Sequence, residues 1–139
     1  MYDAMTIAHY IIDKCTREGC PISNLQLQKI LYYIQRSFLK VGLTAFPEEI
    51  EAWQFGPVVR VVYNNYCGFG AAKIRMLYDI SLRREIQRMM DPIIREKRVL
   101  NPWDLVDDTH RPEKAWAEIY RDGLGNHQII PKELILEKG

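Results

Sequence analysis

Apolar residues recur at three- and four-residue steps through Met5, Ala8, Ile11, Ile12 and Cys15, the period at which an α-helix turns one face to a core. Asp3 stands where an N-cap is needed, and Gly19 followed by Pro21 ends the run. Ser23-Asn24-Leu25-Gln26 has the form of a capping box, so a second and longer helix is predicted to start there. Leu27, Ile30, Leu31, Ile34 and Phe38 share one face of it, and Gly42 is its natural stop. Each such side chain contributes about 1.5 to 3 kcal/mol when fully buried, so this face can anchor much of the fold.

From Glu49 to Phe55 the pattern changes to alternation, which predicts a short extended segment before Gly56-Pro57 breaks it. Pro57 suits the first turn of a further helix with Val58, Val59, Val62, Tyr63 and Tyr66 as its buried stripe, closed by Gly68 and Gly70. Ser81 is placed to cap a helix with Leu82, Ile86, Met89, Met90, Ile93 and Ile94 on its apolar face, kinked or restarted at Asp91-Pro92. Asn101-Pro102 and Arg111-Pro112 mark two more helix starts. Gly123 to Asn126 reads as a loop, Gln128 to Ile130 as a strand able to pair with the Trp53 segment, and Pro131 as the start of a last helix. The pattern predicts a mainly α, compact helical bundle, one domain over residues 1–139, with at most one short two-stranded β ribbon.

Composition narrows the class. The chain of 139 residues is 47% hydrophobic and carries 19 basic against 18 acidic residues, so any charged surface is local and not global. No apolar stretch has the roughly 20 residues a membrane-spanning helix needs. Cys15, Cys20 and Cys67 cannot all pair with one another, and no signal peptide precedes them, so free thiols and a cytoplasmic location are expected.

Candidate chemistry is sparse. His9, His110 and His127 fall in no zinc-binding frame. Asp104, Asp107, Asp108 and His110 could offer oxygen and nitrogen ligands, but their spacing matches no metal site and a solvated helix end accounts for them. His9 and Asp13 sit four apart and are expected to pair on the helix surface. Gly68-Phe69-Gly70 lacks the lysine and spacing of a phosphate loop. No catalytic residue, cofactor or metal is therefore expected.

Surfaces offer more. Lys29, Tyr33, Arg36 and Lys40 fall at three- and four-residue steps and are predicted to line a basic, aromatic stripe, with Gln28, Tyr32 and Gln35 beside it. Tyrosine and arginine are common at binding hot spots because each joins contact area to hydrogen-bonding groups. From Arg83 to Arg98 there are six basic and three acidic residues, a second basic face able to meet phosphate or an acidic protein.

Two blocks, Ser23-Asn24-Leu25-Gln26-Leu27-Gln28-Lys29-Ile30-Leu31-Tyr32-Tyr33 and Glu51-Ala52-Trp53-Gln54-Phe55-Gly56-Pro57-Val58-Val59, are followed by Val62-Tyr63 and by a Thr109-His110 and Trp116 element. In this order they resemble the Panacea domain, the phage-associated GepA-like and SocA-like family, with Arg60 standing where that family often has a second proline. The resemblance implies an antitoxin encoded beside a toxin gene, which neutralises that toxin by direct protein contact and has no catalytic residues. Gln28, Lys29, Tyr32, Tyr33, Arg36, Lys40, Trp53 and His110 are the residues expected to meet the partner. Two alternatives accompany this reading: an adaptor that hands its partner to a protease, and a nucleic-acid-binding regulator of a mobile element.

Overall fold

The computed structural model describes residues 1–139. Helix α1 (Ala4–Arg17) begins where the Asp3 carboxylate accepts a hydrogen bond from the Thr6 N–H at 2.7 Å. Helix α2 (Asn24–Lys40) opens with the predicted capping box: Ser23 Oγ accepts from the Gln26 N–H, and Gln26 Oε1 accepts from the Ser23 N–H. Both donors would otherwise be left unpaired at a buried helix end. The chain leaves α2 through Gly42, whose φ of +79° costs a glycine little.

The alternating segment forms strand β1 (Ile50–Trp53), which turns at Gln54 and Phe55 into strand β2 (Gly56–Val58) with Trp53 opposite Gly56. Strand β3 (Gln128–Ile130) pairs antiparallel with the other edge of β1, placing Ile50 opposite Ile130 and Ala52 opposite Gln128. The predicted pairing of the Trp53 segment with Gln128 to Ile130 is therefore present, but the ribbon has a third strand, in the order β2-β1-β3. Pro57 lies within edge strand β2 instead of starting a helix. An edge strand tolerates a residue that cannot donate, and helix α3 (Arg60–Tyr66) starts only after the chain has turned. A 3-10 turn (Cys67–Phe69) follows, and residues 71–83 then run along α1 without regular structure. That run is tied down by Ile74 N–H to Ile22 O (2.7 Å) and Tyr78 N–H to the Asp13 carboxylate (2.9 Å).

Helix α4 (Arg84–Lys97) starts three residues beyond Ser81 and carries no side-chain cap. Its entry is held from a distance instead, the Tyr2 hydroxyl accepting from the Arg83 N–H at 3.0 Å. Pro92 lies inside this helix without ending it. Helix α5 (Pro102–Thr109) is capped by Asn101 as expected, its side chain accepting from the Trp103 N–H at 2.9 Å. Helix α6 (Ala115–Tyr120) begins after a turn, not at Pro112, because burial of Ala115 and Trp116 sets where the helix can lie. Helix α7 (Lys132–Lys138) closes the chain.

The organising element is α2, which packs against α1, α3, α4, α5, α7 and β2 at once. Twenty-eight buried residues drawn from most of the elements form the apolar core around it. A helix surrounded in this way has no polar face, so its amide side chains are buried and each clamps a passing segment. Asn24 donates to Tyr63 O, and Gln26 donates to Arg98 O and Leu100 O. Gln28 donates to the Asn24 side chain at 2.9 Å and accepts from the Val59 N–H at 3.0 Å. Gln35 spans both sides of a loop, accepting from the Ala45 N–H at 2.8 Å and donating to Phe46 O at 2.9 Å. The loop backbone groups thereby avoid the cost of burial without a partner.

Candidate partner-binding surface

The predicted stripe on α2 is not a surface stripe. Gln28, Lys29 and Tyr32 are buried, Tyr33 and Arg36 are half-buried, and only Lys40 is exposed. The spacing is helical as predicted, but the neighbours packed around α2 cover the face that these residues share. Tyr33 donates to Asp108 at 2.5 Å and carries the Lys97 ammonium 4.2 Å above its ring. Burial first, and that carboxylate second, push its phenol far above the usual range.

Lys29 is the most unusual member of the set. Its side chain is completely buried and its ammonium has no hydrogen-bond partner. Burial alone brings its pKa down to about 7, because an apolar interior disfavours the charged form. Its end lies directly beneath Gly56, where an added Cβ would fall 2.7 Å from Lys29 Cε, 2.8 Å from Nζ and 3.1 Å from Thr109 Oγ1. Gly56 also holds φ at +116°, and this conformation is what requires glycine there, since the end of the Lys29 side chain can shift. The Thr109 hydroxyl donates to Val106 O at 3.0 Å.

His110, next in the chain, stacks flat on Trp116 with ring centroids 3.6 Å apart, and Trp116 stacks in turn on Tyr120 at 4.6 Å. The Trp116 indole donates to Trp53 O at 2.7 Å, tying α6 to β1. Burial and then the nearby Lys29 hold the His110 pKa below its ordinary value. The Thr-His and Trp element of the sequence is thus one packed unit joining α5, α6 and the sheet.

Above this unit, between the β1–β2 turn, the start of α5 and α3, lies a surface cavity of about 480 Å³. Trp53, Phe55, Tyr63, Trp103 and His127 supply its aromatic wall, and Lys29 lies among its lining residues. Trp53 sits 4.8 Å from the Tyr63 ring and 4.4 Å from His127. Arg60 covers Trp53 at 5.4 Å while its guanidinium pairs with Glu51 at 2.7 Å. Of the expected contact residues, the fold brings Gln28, Lys29 and Trp53 together here; Tyr32, Tyr33, Arg36, Lys40 and His110 are not among its lining residues. Phe55, Tyr63, Trp103 and His127 are not among the residues expected from the sequence to meet a partner, since they come from four separate segments. The available hint was an aromatic residue at a two-residue turn and another directly after a helix-starting proline.

The remaining candidates are dispersed. Nowhere do three or more His, Cys, Asp or Glu side chains converge as a metal site would require. In the acidic segment Asp108 is committed to Tyr33 and His110 to Trp116. His9 does not pair with Asp13; it stacks on Tyr78 at 4.0 Å, while Asp13 takes Arg17 at 2.8 Å. Along the basic segment Arg83, Arg84, Arg88 and Arg95 are exposed, whereas Arg98 pairs with Glu18 at 2.7 Å. The three cysteines are free, with Cys15 buried. No helix is long and apolar enough to cross a membrane.

A sequence model of the family described as Antitoxin SocA-like, Panacea domain, matches residues 27–117, from the second turn of α2 into α6. The chain belongs to this family. Antitoxin SocA of Caulobacter vibrioides (strain NA1000 / CB15N) is 42% identical to it over 69 residues, 49% of this chain and 37% of that protein. The match thus spans little more than a third of the relative's length. No solved structure matches. In this Panacea-domain chain, the matched region holds the buried amides Gln28 and Gln35, the Lys29–Gly56 contact, and the His110–Trp116 stack. Many residues of the matched region are therefore internal scaffolding.

Proposed function

We propose that this chain is the antitoxin of a toxin–antitoxin pair and neutralises a co-encoded toxin by binding it directly. The observation that carries the reading is the family match over residues 27–117. Similarity to a protein named Antitoxin SocA supports it. The geometry is compatible with a binder: the buried amides Gln28 and Gln35 are spent on internal clamps, while exposed Phe55 and Trp103 meet at one cavity. Aromatic side chains on a rigid frame bind at little entropic cost. The cavity around Trp53 is the contact surface this reading favours, with the accessible parts of Tyr33, Arg36 and Lys40 a separate patch on α2 and His110 acting by packing.

The test is co-expression with the adjacent open reading frame. The neighbour alone should arrest growth, this chain should restore it, and the two should co-purify. A neighbour that is harmless by itself, or arrest that persists beside well-expressed folded chain, would overturn the proposal. The partner's half-life in the same cells separates simple neutralisation, which leaves it unchanged or longer, from delivery to a protease, which shortens it.

A further inference from the structure

The aromatic cavity combines an apolar wall with one buried charge. Phe55 is 47% and Trp103 55% exposed, yet their rings meet edge to face at 5.5 Å across its rim. Both come from segment ends, the tip of the β1–β2 turn and the first turn of α5, where the core does not require them. Clustered exposed aromatic surface of this kind is a mark of binding sites. No Asp or Glu lines the cavity, and its deeper amides, Asn24 and Gln28, are already bonded within the fold. Lys29 remains, a lining residue whose ammonium has no partner. A buried cation is normally repaid by a carboxylate, and this fold supplies none.

We propose that this cavity is the anchor point for the partner protein, taking an acidic side chain carried beside an aromatic or aliphatic residue. The carboxylate meets the Lys29 ammonium, and its neighbour packs against Phe55 and Trp103. The inference rests on reading the chain as a protein binder and adds the chemistry of what is bound. Charge complementarity selects the occupant. A basic anchor is repelled, and a purely apolar one leaves the lysine unpaired. The ammonium is buried beneath Gly56, so binding requires a turn of the terminal bonds of this flexible side chain that brings it to the bound carboxylate.

The test begins with two small probes followed by NMR, 3-phenylpropanoate and its neutral twin 3-phenylpropanamide. The carboxylate should shift the indole signals of Trp53 and Trp103 saturably at millimolar concentration and leave Trp116 still. The amide should bind roughly tenfold more weakly, the effect expected of losing one charge pair. Lys29→Met should abolish that preference, and a Phe55→Ala/Trp103→Ala variant should weaken both compounds alike. Equal binding of acid and amide, no saturable shift, or an unchanged preference in Lys29→Met would overturn the proposal. Should Lys29→Met fail to fold, the acid–amide comparison and the rim variant still decide. In the complex, one Asp or Glu of the partner, changed to its amide, should weaken binding to the wild type and add nothing to Lys29→Met. A complex indifferent to Lys29→Met removes the anchor but leaves the antitoxin reading standing. A wild type that binds no toxin removes that reading, while the probe titration still judges the anchor.

Discussion

Lys29 and Gly56 are each explained by the other. The glycine leaves room for the lysine's end, and the lysine fills space that any side chain at position 56 would need. Gly56→Ala should therefore destabilise by about 2 kcal/mol or more, combining strain at positive φ with a clash. Adding Lys29→Ala should recover the clash but not the strain, a partial rescue visible in urea denaturation. The lysine also has a pH signature. Its pKa is about 7 in the folded chain, against roughly 10.4 when unfolded. Between those values the unfolded state binds more protons, so stability rises with pH, by at most about 1.4 kcal/mol per pH unit. Denaturation between about pH 7 and 8.5, below most tyrosine titration, should show the rise, and Lys29→Met should flatten it. An equal slope in both proteins would contradict the assignment. His110 acts lower on the scale. With its folded pKa depressed, it lowers stability as pH falls through its unfolded value near 6.5.

At the scale of elements, α2 acts as a central post and its buried amides as clamps. Gln28→Leu leaves the Val59 N–H without its acceptor, and Gln35→Leu leaves the Ala45 N–H without its acceptor and Phe46 O without its donor. Each should cost about 1 to 3 kcal/mol in chemical denaturation, because a buried backbone group is left unpaired. Lys40→Ala, on the exposed end of the same helix, should stay within about 0.5 kcal/mol of wild type. These elements were unevenly legible in the sequence. Asp3, Ser23 and Asn101 act within one turn of their helices, and all three caps are where the sequence places them. Pro57, Ser81 and Pro112 carry equally good local signals and do not start helices. At each, a packing or pairing contact outside the local cap decides: strand β1, the Tyr2 hydroxyl, and the buried seat of Trp116.

For the whole molecule, Trp116 is the joint between the helical body and the sheet, linking α6 to β1 through Trp53 O and to α5 through His110. Trp116→Phe should cost about 1 kcal/mol for the lost hydrogen bond, and Trp116→Ala about 3 to 5 kcal/mol with a cavity left behind; thermal melting distinguishes the two. The sequence by itself determined the helical class, the three caps, the β1–β3 pairing and the family, since periodicity, capping and ordered blocks are all written in local order. The tertiary structure alone decided which side of α2 is covered, that Lys29 is a buried charge and not a surface one, and that aromatic residues from separate segments share one cavity. Helical spacing states which residues share a face, but whether that face meets water depends on how many other elements pack against it.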